Sequence, residues 1–287
     1  MFKLIKCKFL YLKRKPTSLV LFLITCGSAV ITAGIIIFLI GYILAKGIPH
    51  ITPSLFSIKY TSENVSLMPA LITTIYITLL SLLLAVPLGI FSAIYLVEYS
   101  KQKSPVVKLV RTTTEVLAGI PSIVFGLFGY LIFVIFFKLG YSVISGSLTL
   151  AIMILPIIIR TTEEALLSVP KSYREASFGL GAGRLRTVFK AVIPSAISGI
   201  FSGIILSIGR IIGETAALIY TLGTATGIPE TFLKGGRTLS VHIYALLNEG
   251  LYYNQAYATA VILLLLVFII NSISAFLVHR RINNNKG

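Results

Sequence analysis

The apolar residues of this chain are concentrated in six long segments, and the polar and charged residues lie mainly between them. A helix that crosses a membrane needs about 20 mainly apolar residues, because the hydrocarbon layer is about 30 Å thick. Backbone groups in lipid must be paired within the segment, which favours helices, and the alternation expected of barrel strands is absent. The pattern therefore predicts an all-α polytopic membrane protein with six transmembrane helices. The predicted spans are about 18–44, 69–96, 117–137, 148–167, 194–222 and 256–278.

The composition and the short connections predict no soluble domain. The chain is 56% apolar and only 12% charged, which is typical of a membrane protein and excludes an ordinary soluble domain. The last five spans are expected to form a bundle, with the first span added at its periphery. The regions between and beyond the spans are a basic N-terminal tail (1–17), a connection (98–115), a loop (169–193), a longer loop (223–255) and a basic C-terminal tail (279–287).

The net charge of +16 suggests nucleic-acid binding at first sight, but the positions of the charges favour a membrane. Eighteen of the 25 Lys and Arg residues lie in the two tails, in the 98–115 connection and in loop 169–193, whereas five lie in the remaining loops. Cytoplasmic loops of membrane proteins carry such an excess of positive charge. We therefore expect both termini and loop 169–193 in the cytoplasm, contact with membrane lipid, and no nucleic-acid partner.

Sequence signals for catalysis are missing. The chain has no Gly-x-x-x-x-Gly-Lys-Ser/Thr loop for nucleotides, no aspartate, and only three widely separated histidines. Glu163 and Glu164 are adjacent, which places them on different faces of a helix and makes them a poor acid–base pair. We expect a protein that is not an enzyme and binds no metal or cofactor. If ATP drives its activity, the ATPase must be another chain.

The fifth span carries the most informative charges. At 100° per residue, Arg210 and Glu214 fall within one stripe of about 80° on a continuous helix. The small residues that share this stripe are Gly199, Gly203, Ser207, Ala217 and Thr221. Small side chains allow close helix approach or leave room for a passage, and charges within a membrane usually face a bundle interior or a wet cavity. The alternative is a salt bridge that holds two helices together.

Arg160 in the fourth span is the second buried candidate. It lies roughly 18 Å from the outer end of its span, and Arg210 lies about 24 Å from Pro194. Two arginines at different depths would pass an anion inward, since a guanidinium group is permanently charged and matches the oxygens of phosphate or sulfate. Glu164, one turn away, is able to neutralise Arg160. The alternative for Arg160 is that its side chain extends to the cytoplasmic headgroups.

A second set of small residues lies on the third span. Gly119, Ser122, Gly126 and Gly129 share an arc of about 80° on a continuous helix. This pattern indicates a close-packing face. Pore lining and packing between helices of the same chain both remain open for it.

Loop 169–193 is a basic, glycine-broken segment between two apolar spans. We predict a short helix over Tyr173–Phe178, which Gly179, Gly181 and Gly183 end because glycine adopts conformations that other residues avoid. A second short helix is predicted over Leu185–Val192, and Pro194 suits the opening turn of the next span. The product would be a helix–turn–helix projection on a membrane face. The alternative is an ordinary basic cytoplasmic loop.

This loop also carries a family resemblance. Glu175-Ala176-Ser177, then Gly181, then the segment Ala191-Val-Ile-Pro194 resemble the EAA loop of ATP-binding-cassette importer permeases. Ser177 and Ala191 depart from the family pattern, in which Ala and Ile are usual, and both replacements are small. Segments 119–129, 155–166 and 209–218 are in turn similar to the phosphate-specific members, although Ala217 stands where that group often has Pro.

The resemblance implies a type I importer permease fold in a bacterial or archaeal cytoplasmic membrane. It implies three partners: a homologous permease chain, a cytoplasmic ATPase dimer that binds ATP and magnesium, and an external phosphate-binding protein. It marks Arg160, Arg210 and Glu214 as transport-linked positions. It also places Tyr173, Glu175, Ala176, Gly179 and Gly181 in a loop that docks on the ATPase. The implied mechanism is alternating access, in which ATPase closure reorients the spans.

Two other functions remain possible at this point. A permease for another oxyanion, such as sulfate or molybdate, would need the same arginines. An ion-driven carrier that works alone would need no docking loop.

Overall fold

The structure is a computed structural model that describes residues 16–100 and 104–284, all of whose regular elements are helical. The basic N-terminal residues, two of the lysines of the 98–115 connection and the last three residues of the C-terminal tail lie outside the described residues. We number the helices in chain order. They are α1 (Pro16–Gly47), α2 (Met68–Tyr99), α3 (Pro105–Gly119), α4 (Ser122–Phe136), α5 (Val143–Leu167), α6 (Lys171–Gly179), α7 (Arg184–Gly213), α8 (Ala216–Thr221), α9 (Leu239–Glu249) and α10 (Tyr253–Asn284).

Among the described residues, five helices are long and apolar enough to cross a membrane. These are α1, α2, α5, α7 and α10, and a sixth span results if the bent pair α3–α4 counts as one. Short 3-10 turns, Ile48–His50 and Pro53–Phe56, lie in the connection between α1 and α2. The last span is longer than predicted, since α10 continues to Asn284 through the first part of the expected C-terminal tail.

The third predicted span is broken, and this corrects the prediction for residues 98–137. Helix α3 ends at Gly119, α4 begins at Ser122, and the two are bent by 103°. Pro121 lacks an N–H and forces the preceding residue into an extended conformation, which Ile120 adopts with ψ 132°. Much of the predicted connection is therefore helix α3. Gly119 belongs to a different helix from the other three small residues.

The fifth predicted span also differs from the structure. Helix α7 begins at Arg184, inside the predicted loop, and it ends at Gly213 rather than near residue 222. Glu214 has an extended backbone (φ −74°, ψ 129°), and the short helix α8 follows. The predicted stripe that joined Arg210 to Glu214, Ala217 and Thr221 on one helix is therefore wrong beyond Gly213.

The predicted loop 223–255 contains an additional helix, α9. Its first turn is capped by Thr238, whose Oγ1 accepts a hydrogen bond from the backbone N–H of Val241 at 3.5 Å. It ends at Gly250, whose φ of +72° is a left-handed conformation that glycine adopts without strain. The backbone N–H of Val143, the first residue of α5, donates to the carbonyl of Lys234 in the loop before α9. Helix α9 therefore lies at the end of the bundle where α5 begins.

The hydrophobic core lies between α2, α4, α5, α7 and α8. Its largest members are fully buried aliphatic side chains such as Ile77, Leu150, Ile154, Ile158 and Leu218. A second cluster, which includes Ala165, Leu166, Val188 and Val192, joins α5 to the start of α7 near the opposite end of the bundle. Helix α1 is peripheral, as predicted, and the most apolar part of it has no buried residue.

Candidate functional site

The small residues of α7 pack against α5. A Cβ atom added to Gly199 would lie 2.6 Å from the Cβ of Ala165, and one added to Gly203 would overlap the hydroxyl of Thr161. Ser207 is fully buried and donates its hydroxyl to the carbonyl of Gly203 at 2.9 Å. Small side chains let two helix backbones approach closely. This part of the predicted stripe is therefore a packing face within the chain.

In the second set of small residues, the two glycines that lie within α4, Gly126 and Gly129, also pack against neighbouring helices. A Cβ on Gly126 would lie 2.8 Å from the Cα of Ala217 in α8, and one on Gly129 would overlap the side chain of Thr149 in α5. Ser122 begins α4 and is half-buried. Gly119 has open space around it, with no atom of the described residues within 4 Å of an added Cβ. Packing within the chain accounts for Gly126 and Gly129.

Glu214 occupies the break between α7 and α8. Its side chain is buried, and Oε1 accepts the backbone N–H of Ala217 at 3.2 Å in the first turn of α8. Its carbonyl accepts the hydroxyl of Ser240 at 2.6 Å, which connects the break to the start of α9. Glu214 thus stabilises a helix N-terminus, where a carboxylate is favoured by the helix dipole.

Arg210 does not pair with Glu214. The salt bridge that the sequence left open is absent, because the chain leaves the helical path between them. Arg210 lies on the exposed edge of α7, and it makes no hydrogen bond or ion pair with any residue that the structure describes. It is a fixed positive charge on the surface of a membrane-spanning helix.

Arg160 is also exposed, on the surface of α5. Its Nε donates to Oε1 of Glu164 at 3.2 Å, and the two side chains are 57% and 66% exposed. The predicted neutralising pair is therefore present. Such an exposed pair contributes little to stability, so it leaves the guanidinium group free to exchange partners.

The neighbouring Glu163 has a separate role that the sequence did not reveal. It points into the bundle and binds Arg111 of α3, with Nη2 at 2.5 Å and Nε at 2.7 Å from Oε1. This pair ties the bent helix α3 to α5. The one indication in the sequence was that Glu163 and Glu164 are adjacent and so lie on different faces of the helix, which favours different partners.

The docking loop that was predicted over 169–193 forms a helix and a turn. The short helix predicted over Tyr173–Phe178 is present as α6, and Gly181 follows with φ +80°. The second predicted helix is not separate, because it continues through a π-helical turn into α7. Ser177 and Thr187 share a hydroxyl hydrogen bond of 2.8 Å across the turn, which fixes the two arms.

The outer surface of this loop is exposed and concave. The five predicted docking residues are all exposed, and Tyr173, Ala176 and Gly181 line its concave part. Leu180 at the tip is 89% exposed, an unusual position for a large apolar side chain. Beside it lies an open cavity of about 520 Å³ between α6 and the start of α7, lined in part by basic side chains of α7. This surface has the shape and composition of an interaction site.

Arg174 fixes the inner side of the same helix to the bundle. Its Nη2 lies 2.7 Å from Oε1 of Glu98 at the end of α2, and its Nη1 and Nη2 each donate at 2.9 Å to the carbonyls of Val169 and Leu166. Both side chains of the pair are largely buried. Arg174 therefore joins α6 to the ends of α2 and α5. One signal in the sequence was overlooked, the glutamate Glu98 at the end of the second span.

A family model describes most of this arrangement. Residues 85–283 match the binding-protein-dependent transport system inner membrane component. Similar proteins include the probable ABC transporter permease protein YqgI of Bacillus subtilis, which is 35% identical over 78% of this chain and 81% of its own length. The phosphate transport system permease protein PstA of Mycobacterium leprae is 38% identical over 69% of this chain and 67% of its own length.

Solved structures share the fold at lower identity. The MetNI methionine ABC transporter in an inward-facing conformation has a chain with a TM-score of 0.59 and 18% identity, covering 75% of this chain and 94% of its own. The bacterial alginate ABC transporter has a chain with a TM-score of 0.63 and 15% identity, covering 98% of this chain and 97% of its own.

Proposed function

Because the chain belongs to the family of binding-protein-dependent transport system inner membrane components, and is a type I ABC importer permease, we propose that it imports inorganic phosphate. It does so with a homologous permease chain of the PstC type, a cytoplasmic ATPase dimer that binds ATP and magnesium, and an external phosphate-binding protein. This chain supplies part of the passage and one docking loop, and the ATPase supplies the hydrolysis.

The observation that supports an anion passage is the exposure of Arg210 on a membrane-spanning helix. A guanidinium group in contact with lipid is costly, so such groups face a bundle interior, a partner chain or a water-filled cavity. Arg210 has no counter-charge among the described residues, whereas the nearby Glu214 is occupied at the start of α8. A second permease chain against this face would enclose a positive surface that attracts an anion.

Arg160 supports the same passage nearer the cytoplasm. Its partner Glu164 lies one turn further along α5, so an arriving oxyanion competes for the guanidinium fork with an exposed carboxylate. Binding of this kind is moderate, which a passage needs, because a tight site would trap the ion. The snorkelling alternative is tested by Arg160→Lys, which keeps the charge and loses the planar fork. Impaired uptake supports phosphate contact, and full uptake supports snorkelling.

The docking loop supports coupling to an ATPase. Helix α6 exposes its outer face at the end of α5, and Leu180 projects from the turn. Closure of the ATPase dimer would displace α6, and Arg174 would carry the displacement to α2 and α5 through its three contacts. The excess of basic residues supports a cytoplasmic position for this face, by the positive-inside rule.

The choice of phosphate rests on relatives rather than on the two arginines. Several similar proteins are named phosphate transport permeases, including PstA 2 of Mycobacterium bovis at 34% identity over 85% of this chain. Others, such as YqgI, carry no substrate in their names. The test is uptake of labelled phosphate into vesicles with sulfate or molybdate as competitor. Competition by sulfate as strong as that by unlabelled phosphate would exclude phosphate as the specific substrate.

Dependence on partners is tested separately. The purified chain alone should give no uptake, and uptake should appear only when the partner permease, the ATPase, the phosphate-binding protein and ATP are all added. Uptake by the lone chain that follows a proton gradient would instead identify an ion-driven carrier.

A further inference from the structure

Arg237 and His242 form a buried polar cluster that none of the preceding roles uses. Both lie in the region between α8 and the end of α9, at the opposite end of α5 from the docking loop. Arg237 is 3% exposed and His242 is fully buried. Arg237 Nη2 and both ring nitrogens of His242 have no hydrogen-bond partner among the residues that the structure describes.

Tyr60 holds the two side chains. Its ring lies 4.6 Å from the guanidinium carbon of Arg237, and it meets the His242 ring edge-on with 6.3 Å between centroids. Tyr60 is itself anchored in a small apolar cluster with Leu246 of α9. The cation–π contact covers the face of the guanidinium group, which leaves its N–H donors available in the plane of the group.

The charge of Arg237 is not compensated within the described chain. Arginine stays protonated in proteins, and an unpaired buried cation costs several kcal/mol. No carboxylate of the described residues lies within salt-bridge distance of it. Buried polar atoms are nearly always satisfied in native proteins, so these three nitrogens call for an external partner.

His242 gives the cluster a preference between two types of anion, protonated phosphate and sulfate. Burial, with a smaller contribution from Arg237, lowers the pKa of His242 to about 3, so the ring is neutral near pH 7 and has one N–H donor and one acceptor nitrogen. Phosphate near pH 7 carries both acceptor oxygens and a hydroxyl donor, whereas sulfate carries acceptors only. A fixed cation beside a neutral acceptor therefore matches protonated phosphate better than sulfate.

We propose that Arg237 and His242 form a binding site for one protonated phosphate ion at the end of the bundle opposite the docking loop. Arg237 donates to the phosphate oxygens, and His242 accepts the phosphate hydroxyl. The site deepens the proposed function, on which it rests, by placing a third arginine before Arg210 and Arg160. Ser240, which lies between the two site residues in the chain, donates its hydroxyl to the carbonyl of Glu214, so the site lies close to the break between α7 and α8.

The experiment counts bound ions. The assembled importer, without its binding protein, is equilibrated with labelled inorganic phosphate in chloride buffer, as wild type and as Arg237→Met. Lys234→Met is the matched control, because Lys234 lies on the same loop but is exposed and already paired with Glu230. We expect Arg237→Met to lose one phosphate per copy of this chain and Lys234→Met to lose none. An equal count in wild type and Arg237→Met overturns the site.

A second variant tests the preference and does not depend on Arg237→Met assembling. At this site sulfate should compete at least tenfold less well than phosphate in the wild type, and this difference should disappear in His242→Phe. Unchanged discrimination in His242→Phe overturns the role of His242. If the wild-type importer takes up phosphate and Arg237→Met still binds as many phosphate ions as the wild type, the site is wrong and the proposed function stands. If the wild type takes up no phosphate, the proposed function is wrong.

Discussion

Arg174 and Glu98 are 76 residues apart in the chain, yet Nη2 of Arg174 lies 2.7 Å from Oε1 of Glu98. Their side chains are only 18% and 9% exposed, so the pair is shielded from solvent and from salt. Arg174 also donates to the carbonyl of Leu166 in the last turn of α5 and to that of Val169 just after it. Helix α6 is therefore bound to two membrane helices through a single side chain.

The first prediction concerns this connection. Arg174→Ala should leave ATP hydrolysis largely intact and lower phosphate uptake at least tenfold, because α6 would move without α2 and α5. Hydrolysis and uptake are measured on the same proteoliposomes. Lys171→Ala on the same helix is the control, since its side chain is exposed and it should change neither quantity.

The exchanged pair Arg174→Glu with Glu98→Arg separates coupling from folding. It should recover part of the uptake that either single change removes, although the two backbone contacts stay lost. If Arg174→Ala transports phosphate normally, the pair has no part in transmission.

The second prediction concerns Gly181, whose φ of +80° lies in the left-handed region. An added Cβ meets no atom of the described residues within 4 Å, so the cost is conformational, about 1–2 kcal/mol. Gly181→Ala should loosen the turn and reduce co-purification of the ATPase. The matched change Gly183→Ala has equally open space, and its φ of −71° is one that alanine adopts without strain. It should leave ATPase binding unchanged; equal loss in both variants would point to a steric effect at the docking surface.

The third prediction concerns the packing of α7 on α5. Gly203→Ala should destabilise the chain by about 1–3 kcal/mol, because the new methyl group overlaps the Thr161 side chain. The thermal unfolding temperature of the purified complex measures this. Gly209→Ala on the same helix has open space, so it should have no destabilising effect. Thr161→Ala combined with Gly203→Ala should recover part of the stability, and a double variant no better than Gly203→Ala would contradict the overlap.

The fourth prediction concerns Arg210. Arg210→Gln should abolish phosphate uptake while the complex still assembles, because Arg210 has no partner among the described residues whose loss would weaken the fold. Uptake and size-exclusion profiles are compared with those of Lys234→Gln, which removes an exposed positive charge that is paired with Glu230. Disassembly of the Arg210→Gln complex would mean that the arginine holds two chains together rather than guiding an ion.

The sequence by itself determined the class of the fold and the main helices. Apolar length decides whether a segment spans a membrane, and this property belongs to the segment alone. The same holds for the turn after α6, since a glycine run ends a helix wherever it occurs. The short motifs around Glu175 and Arg160 also sufficed to indicate the family, because they are local in the chain.

Pro121 accounts for the break at Ile120, but Pro87 and Pro156 lie within continuous helices, so only the tertiary structure decided which helices break and which charges meet. The breaks at Ile120 and Glu214 separate residues that a continuous helix would place on one face, and helical periodicity carries no information on such breaks. Arg174 finds Glu98, and Arg111 finds Glu163, across distances in sequence that no spacing rule covers. Arg237 and His242 looked like ordinary loop residues. Their burial depends on Tyr60 from another loop, and a contact between distant segments exists only once the chain has folded.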